Sequence, residues 1–168
     1  MYTFREASEM DRAALGQIFY QSWQSAYREI LPPEVLDNLT PASAEPKGRI
    51  DPKTTLVLAD GEKVIGLTVV GASRTPEKSD WGEIYSLYLL PDYFGQGWGK
   101  ALLELALERL TDLGYSHIHL WVIAQNERAQ RLYQRNHFRQ SDQVKTREFL
   151  GTMIQEVEYI YQNESKRS

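Results

Sequence analysis

Gly95, Gly97 and Gly99 alternate along a short stretch that connects an apolar, strand-like run to the helical segment 100–113. Glycine accepts backbone conformations that other residues avoid, so this loop can turn several N–H groups toward one point. The following helix adds unpaired amides and the positive end of its dipole, and Lys100 adds a full charge. A strand, a glycine loop and a helix in this order predict a cradle for a phosphate or pyrophosphate.

The spacing of the glycines excludes two familiar nucleotide-binding patterns. The dinucleotide pattern G-x-G-x-x-G needs glycine at position 100 or 102, where the chain has Lys100 and Leu102. The P-loop pattern needs glycine at 94 and Ser or Thr at 101, where the chain has Phe94 and Ala101. A plain turn and a nucleotide-binding regulatory domain remain as alternatives that depend on the loop alone.

Strand-like and helical segments are mixed along the whole chain. The predicted strands are 2–7, 54–59, 63–73, 83–90, 116–124 and one or two within 146–161. The first predicted helix begins after Ser8, which forms a capping box with Asp11, and the second begins after Pro33. The other two predicted helices span 100–113 and 127–135. This order favours an α+β or α/β three-layer architecture. The length of 168 residues fits one domain, 1–168, with a polar tail at 163–168.

Composition narrows the classes of partner. The 19 basic and 23 acidic residues give a net charge of −4, which is not typical of a nucleic-acid-binding surface. The chain has no cysteine, which excludes disulfides and thiolate metal ligands. Its three histidines are few for a histidine-based metal site. It shows no signal peptide and no apolar run of membrane-spanning length. We therefore expect a cytoplasmic protein without nucleic-acid, membrane or metal partners.

A second motif, N-E-R-A-Q-R-L-Y-Q-R-N-H-F, runs from Asn126 to Phe138. Asn126 suits a helix N-cap, and Ala129, Leu132 and Tyr133 recur on one helical face. With the glycine loop, this motif resembles the GCN5-related N-acetyltransferase superfamily. The patterns of that family are Q/R-x-x-G-x-G/A and N-x-x-A-x-x-L/F-Y-x-x-x-G-F.

The chain departs from the family patterns at two positions. Phe94 stands where the family has Gln or Arg, which removes a polar side chain near the pyrophosphate but leaves the backbone amides. His137 stands where the family has glycine. A left-handed backbone at this position suits histidine better than most residues, though less well than glycine.

The resemblance implies a mixed, mostly antiparallel sheet of about six to seven strands, with helices on both faces and strands splayed at the acyl-CoA site. It also implies an acetyl-CoA-dependent N-acetyltransferase that moves an acetyl group to a primary amine of a small molecule or peptide by direct attack. Two alternatives stay open: an acyltransferase for a larger acyl group, and a non-catalytic acyl-CoA binding or sensing domain. A homodimer also stays open.

The resemblance also assigns the residues that hold the cofactor and protonate the leaving group. Expected cofactor contacts are Leu87, Tyr88, Leu89, Gly95, Gln96, Gly97, Trp98, Gly99, Lys100, Asn126 and Tyr133. Tyr133 is expected to protonate the leaving CoA thiolate, since a phenol of pKa about 10 keeps its proton at neutral pH. A backbone N–H near Tyr88 or Leu89 is expected to stabilise the oxyanion.

The base is assigned to Glu83, which lies where histone-acetylating relatives carry a glutamate. Tyr85, Glu29 or a chain of waters is the alternative base. Trp23, Tyr27, Glu29 and Tyr85 are the expected substrate contacts, and the acidic charge balance favours a cationic amine.

Overall fold

The structure is a computed structural model that describes residues 1–162, so the polar tail predicted at 163–168 lies outside the described residues. The strands are β1 (Tyr2–Glu6), β2 (Thr55–Asp60), β3 (Lys63–Ala72), β4 (Gly82–Leu89), β5 (Ile118–Ile123), β6 (Phe138–Phe149) and β7 (Thr152–Tyr161). The α-helices are α1 (Arg12–Ala26), α2 (Pro33–Asp37), α3 (Trp98–Asp112) and α4 (Glu127–Arg135). No helix within residues 1–162 is long and apolar enough to cross a membrane.

The seven strands form one sheet in the order β1-β2-β3-β4-β5-β7-β6. β1–β2, β2–β3, β5–β7 and β6–β7 pair antiparallel, and β4–β5 pair parallel. The sheet confirms the predicted α+β class with a mostly antiparallel sheet of six to seven strands.

The chain divides into two compact units. The first unit is Met1–Val70 with Ser86–Ala106, and the second is Gly71–Tyr85 with Leu107–Ser168 as far as it is described. That the whole chain is a single domain stays a prediction.

Aliphatic side chains form the core of the first unit. Ile18 of α1, Val57 of β2, Leu67 of β3 and Leu102 of α3 are all fully buried. Burial of such a side chain stabilises a fold by roughly 1.5–3 kcal/mol. A Cβ at Gly66 would lie only 2.9 Å from Leu102 Cδ1, so glycine at this position lets the start of α3 pack closely on β3.

The turn before α1 has the predicted capping box. The Ser8 amide donates to the Asp11 carboxylate at 2.8 Å, and the Arg5 guanidinium binds the same carboxylate at 2.8 and 2.9 Å. These contacts hold the pKa of Asp11 below its ordinary value, chiefly through the Arg5 hydrogen bond. The first turn is a 3₁₀ helix, Glu9–Asp11, so α1 itself begins at Arg12.

A long hairpin of β6 and β7 dominates the second unit. Leu150 and Gly151 connect the two strands with φ of 50° and 85°, as a two-residue hairpin turn requires. β6 begins at Phe138, well before the 146 that the sequence predicts. Most of its residues are exposed, so its sequence lacks the apolar alternation that marks a half-buried strand.

Candidate active site

The glycine loop leads directly into α3. Gly95 and Gly97 have φ of 78° and 88°, in the left-handed region that favours glycine. The carbonyl of Gly97 accepts from the Ala101 amide at 3.2 Å, so the amides of the three residues after Gly97 belong to the first turn. Amides of a first turn have no partner within their helix, and they attract anions.

The loop is open to solvent. Gly95, Gln96, Gly97 and Lys100 are all exposed. The Lys100 ammonium lies 3.9 Å from Glu104, a surface pair that holds it weakly and leaves it available to an anion. The exposed part of the loop therefore has the properties expected of a phosphate cradle.

Two aromatic side chains of the loop pack inward. The Trp98 ring lies 4.3 Å from the Tyr2 ring and 6.3 Å from the Phe4 ring, both on β1. Phe94 packs against the apolar core of the first unit. The side chain of Trp98, a predicted cofactor contact, is thus engaged in packing, while its backbone amide stays in the first turn of α3. The sequence did not indicate this packing.

Phe94→Arg, which restores the family residue, is expected to lower the free energy of unfolding by about 1–3 kcal/mol, because it places a charge where an aromatic ring packs on the core. We expect CoA affinity to stay level or fall. Phe94→Leu is the matched control, since it keeps an apolar group. Chemical denaturation and calorimetric titration with CoA measure the two effects. Tighter CoA binding without loss of stability would show that position 94 still faces the phosphates.

The last residues of β4 lie beside an aromatic row on α1. Tyr88 meets Phe19 with 5.4 Å between ring centroids, and Phe19 meets Trp23 at 5.5 Å. Leu87 and Tyr88 are half-buried, and Leu89 belongs to the core. Trp23, a predicted substrate contact, therefore takes part in the packing that supports β4.

Of the other residues predicted to bind substrate from this region, Glu29 is exposed, whereas Tyr27 is 2% exposed. Burial places Tyr27 in the interior and argues against contact with substrate. Four-residue spacing of aromatic residues on a helix is as compatible with core packing as with a pocket, so the sequence left both interpretations open.

A surface cleft opens on another side of α1. The sequence did not predict this cleft. Its lining residues are Tyr20, Gln21, Gln24, Ser25, Arg28 and Pro91. Gln24 donates to the Leu36 carbonyl at 2.7 Å and accepts from Arg28 at 2.7 Å, which fixes both polar side chains. The four-residue spacing of Tyr20, Gln24 and Arg28 was the available sequence signal.

The second motif forms α4 with the predicted bounds. The Asn126 side chain accepts from the Ala129 amide at 3.2 Å, which confirms the N-cap. Tyr133 is 7% exposed, and its ring lies 5.7 Å from Phe138 and 6.1 Å from Tyr159. A cofactor contact by Asn126 or Tyr133 stays a prediction.

The backbone at His137 is left-handed, with φ of 70°. Its carbonyl accepts from the Gln162 amide at 2.7 Å, which joins the end of α4 to the residue after β7. The left-handed backbone at this position explains why the family has glycine there. This chain keeps the left-handed conformation with histidine, which tolerates it less well than glycine.

Glu83, the predicted base, is 1% exposed and bound to Arg74. One carboxylate oxygen accepts from the Arg74 amide at 3.0 Å, and the other accepts from the Arg74 guanidinium at 2.7 Å. The Arg74 side chain is 62% exposed and stacks 4.2 Å from the centre of the Tyr85 ring. The group that faces solvent here is thus Arg74, which the sequence interpretation missed.

Tyr85, an alternative base and a predicted substrate contact, donates its hydroxyl to the Ala72 carbonyl. Burial raises the pKa of Tyr85, and the nearby Glu83 carboxylate raises it further. A phenol with a raised pKa stays protonated at neutral pH, so Tyr85 is a poor base.

Parallel pairing joins Gly82–Ile84 of β4 to Ile118–Leu120 of β5, with Glu83 directly opposite His119. The pairing brings Glu83 next to a histidine 36 positions further along the chain, which no motif in the sequence indicated. Splaying of the strands at an acyl-CoA site stays a prediction. Within residues 1–162, no His, Asp and Glu side chains form a group of three that could hold a metal ion.

The sequence of residues 16–138 matches the model of the Acetyltransferase (GNAT) family. An uncharacterized N-acetyltransferase of Bacillus subtilis strain 168, YuaI, is 34% identical over 128 residues, which cover 75% of this chain and 74% of that relative. The chain therefore belongs to the GNAT family, and its class is that of an N-acetyltransferase.

Solved structures share the fold. The PaiA N-acetyltransferase of Thermoplasma acidophilum, in complex with coenzyme A, has a TM-score of 0.69 at 20% identity and covers 93% of this chain and 98% of its own. A putative phosphinothricin N-acetyltransferase has a TM-score of 0.71 at 17% identity and covers 96% of this chain and 98% of its own. At these identities the likeness concerns the fold alone.

Proposed function

We propose that this chain uses acetyl-CoA to acetylate a primary amine of a small molecule or peptide, by direct attack of the amine on the thioester. The observation that carries the proposal is the exposed loop in which left-handed Gly95 and Gly97 lead into the first turn of α3. Its amides suit a pyrophosphate, and the chain belongs to a family of acetyltransferases.

Two structural neighbours support the choice of cofactor. The PaiA enzyme is in complex with coenzyme A, and a putative acetyltransferase of Salmonella typhimurium, yncA, is described with its cofactor acetyl-CoA. In this chain we assign the pyrophosphate to the amides after Gly97, with Lys100 as a neighbouring charge. In this proposal backbone amides supply most of the contacts with the pyrophosphate. Phe94 in place of the family's polar residue therefore changes the affinity for the cofactor more than it changes which cofactor binds.

The reaction needs a base for the ammonium, donors for the oxyanion and an acid for the thiolate. Tyr133 is the proposed acid, and a backbone N–H near Tyr88 or Leu89 is the proposed oxyanion donor. Glu83 is 1% exposed and each of its carboxylate oxygens accepts from Arg74, so Arg74 lies between this carboxylate and solvent. We therefore propose that Glu83 positions Arg74, and that another group accepts the proton.

The test of cofactor identity is thermal shift with acetyl-CoA, CoA and ATP. Acetyl-CoA and CoA at about 100 times their dissociation constants are expected to stabilise the protein by about 2.7 kcal/mol, whereas ATP is expected to have a much smaller effect. Equal stabilisation by ATP would favour a nucleotide-binding regulatory domain. Binding of acetyl-CoA without acetylation of any amine would favour an acyl-CoA sensing domain.

A further inference from the structure

A serine, a histidine and a glutamate form a continuous line of hydrogen bonds inside the second unit. Ser73 Oγ lies 2.7 Å from His119 Nε2, and His119 Nδ1 lies 2.7 Å from Glu158 Oε2. His119 and Glu158 are fully buried, while Ser73, just after β3, is half-buried. The line therefore begins at a half-buried serine, whose hydroxyl oxygen also accepts from the Thr75 amide at 3.1 Å, and ends at a buried carboxylate.

The Glu158 carboxylate is held as an anion. Lys78 Nζ donates to it at 2.5 Å, and Ser141 Oγ donates at 2.6 Å from a bulge in β6. Burial alone raises the pKa of Glu158, but the hydrogen bonds from Lys78, Ser141 and His119 outweigh burial and leave the pKa below its ordinary value.

The His119 imidazole is held neutral. Burial lowers its pKa below the ordinary 6.5, against the opposing effects of Glu158 and Glu83, and Lys78 lowers it further. A neutral imidazole beside an ionised Glu158 donates Nδ1–H to it, which leaves the lone pair of Nε2 to accept from the Ser73 hydroxyl. This arrangement polarises a serine hydroxyl in the same way as a hydrolase triad.

The line lies beside the position that the family resemblance assigns to the base. His119 is directly opposite Glu83 in the sheet. The side chains of two consecutive residues bind this pair: Ser73 is hydrogen-bonded to His119, and Arg74 is hydrogen-bonded to Glu83. The Glu83 carboxylate is bound by the Arg74 guanidinium. In contrast, the Nε2 lone pair of His119 accepts from the Ser73 hydroxyl, so a proton passed on by Ser73 reaches His119.

We propose that Ser73 is a catalytic residue, through which His119 accepts the proton of the acceptor ammonium, with Glu158 as the positioning residue. The inference rests on the proposed function. The ammonium N–H transfers its proton to Ser73 Oγ as the Ser73 proton passes to His119 Nε2. The imidazolium that forms is stabilised by the Glu158 carboxylate.

The remaining steps balance the protons. The neutral amine attacks the acetyl carbonyl, so the C–N bond forms and the C–S bond breaks. Tyr133 protonates the thiolate and regains a proton from the nitrogen of the new amide. His119 returns its proton to solvent through Ser73. The net products are the N-acetylated amine, CoA and one proton.

The pH profile of kcat/KM in Ser73→Ala tests the relay, with spermidine, kanamycin, a lysine peptide and a peptide with a free N-terminus as acceptors. For the lysine peptide, the ratio of wild-type to Ser73→Ala kcat/KM is expected to be ~10²–10³ at pH 7 and to fall about tenfold per pH unit toward pH 9. Without the relay only amine that is already neutral reacts, and its fraction rises tenfold per unit below the pKa of the amine, which is about 10.4 for lysine. For the peptide N-terminus, whose pKa is about 7.7–8.0, the ratio is expected to level off above pH 8.

Three variants sharpen the test. Ser43→Ala is the matched control, because it also removes a serine hydroxyl that donates and accepts hydrogen bonds, but its partner is Thr40, outside the relay. Its profile is expected to run parallel to that of the wild type, as is that of Glu83→Gln. Ser73→Thr keeps the hydroxyl and is expected to restore the wild-type shape.

The outcomes separate this inference from the proposed function. A pH profile of kcat/KM in Ser73→Ala that runs parallel to that of the wild type would overturn the relay and leave Ser73 with a structural role. A steeper pH profile in Glu83→Gln but not in Ser73→Ala would also overturn the relay. Imidazole nitrogen shifts that show His119 charged or protonated at Nε2 at pH 7 would also overturn it. Wild-type protein that acetylates none of these amines would refute the proposed function, and the relay with it.

Discussion

Gly97→Glu is expected to abolish binding of CoA and acetyl-CoA. The substitution places a carboxylate among the amides that are proposed to hold the pyrophosphate, and like charges repel at close range. A Cβ at Gly97 meets no atom within 4 Å, so the substitution does not clash with the fold. Its φ of 88° imposes about 1–2 kcal/mol of backbone strain on any other residue. Calorimetric titration with CoA measures the loss.

Gly48→Glu is the matched control for this experiment. Gly48 also has a left-handed backbone, with φ of 82°, and open space around it, but it lies outside the glycine loop. It carries the same strain and the same added charge, so it is expected to lose similar stability and to bind CoA as the wild type does. Unchanged CoA affinity in folded Gly97→Glu protein would remove the loop from the binding site.

Tyr133→Phe is expected to lower turnover by ~10²–10⁴-fold, because it removes the proposed donor to the leaving thiolate. Phenylalanine keeps the ring and its contacts with Phe138 and Tyr159, so the fold and CoA binding are expected to survive. Higher pH does not replace a lost acid, so the deficit is expected at every pH between 6 and 9. Steady-state kinetics with a thiol-release assay measure it.

Tyr159→Phe is the control for Tyr133→Phe, because Tyr159 lies in the same cluster of rings. Its hydroxyl donates to Gln130 at 3.0 Å and accepts from Gln134 at 2.9 Å, which is a structural role. Its loss is expected to cost about 1 kcal/mol of stability and to change turnover only a few-fold. Wild-type turnover in Tyr133→Phe, with chemistry rate-limiting, would return Tyr133 to a packing role.

Local patterns predicted most of the architecture. The bounds of α4, 127–135, follow from an N-cap asparagine and a helical period, and the structure reproduces them. β6 was missed over 138–145 because its side chains are mostly exposed, so the strand is held by pairing with β7 rather than by an apolar face of its own. Pairing between distant segments leaves little trace in a single sequence.

The candidate site also has parts that local sequence patterns predicted and parts that depend on contacts between distant segments. The glycines and the α4 motif carry their chemistry in local spacing, so the sequence showed them. The inward packing of Phe94 and the Arg74–Glu83 pair depend on neighbours that only the fold supplies. His119 and Glu158 meet because β5 pairs with β7, which no spacing rule predicts.

The most direct test of the account is acetyl transfer itself. Purified protein is incubated with acetyl-CoA and each of the four amine probes, and mass spectrometry identifies the products while a thiol assay follows CoA release. The account predicts that at least one amine becomes N-acetylated in step with CoA release, and that Gly97→Glu protein forms no such product. Amine-independent CoA release, or no acetylated amine from a protein that binds acetyl-CoA, would contradict it.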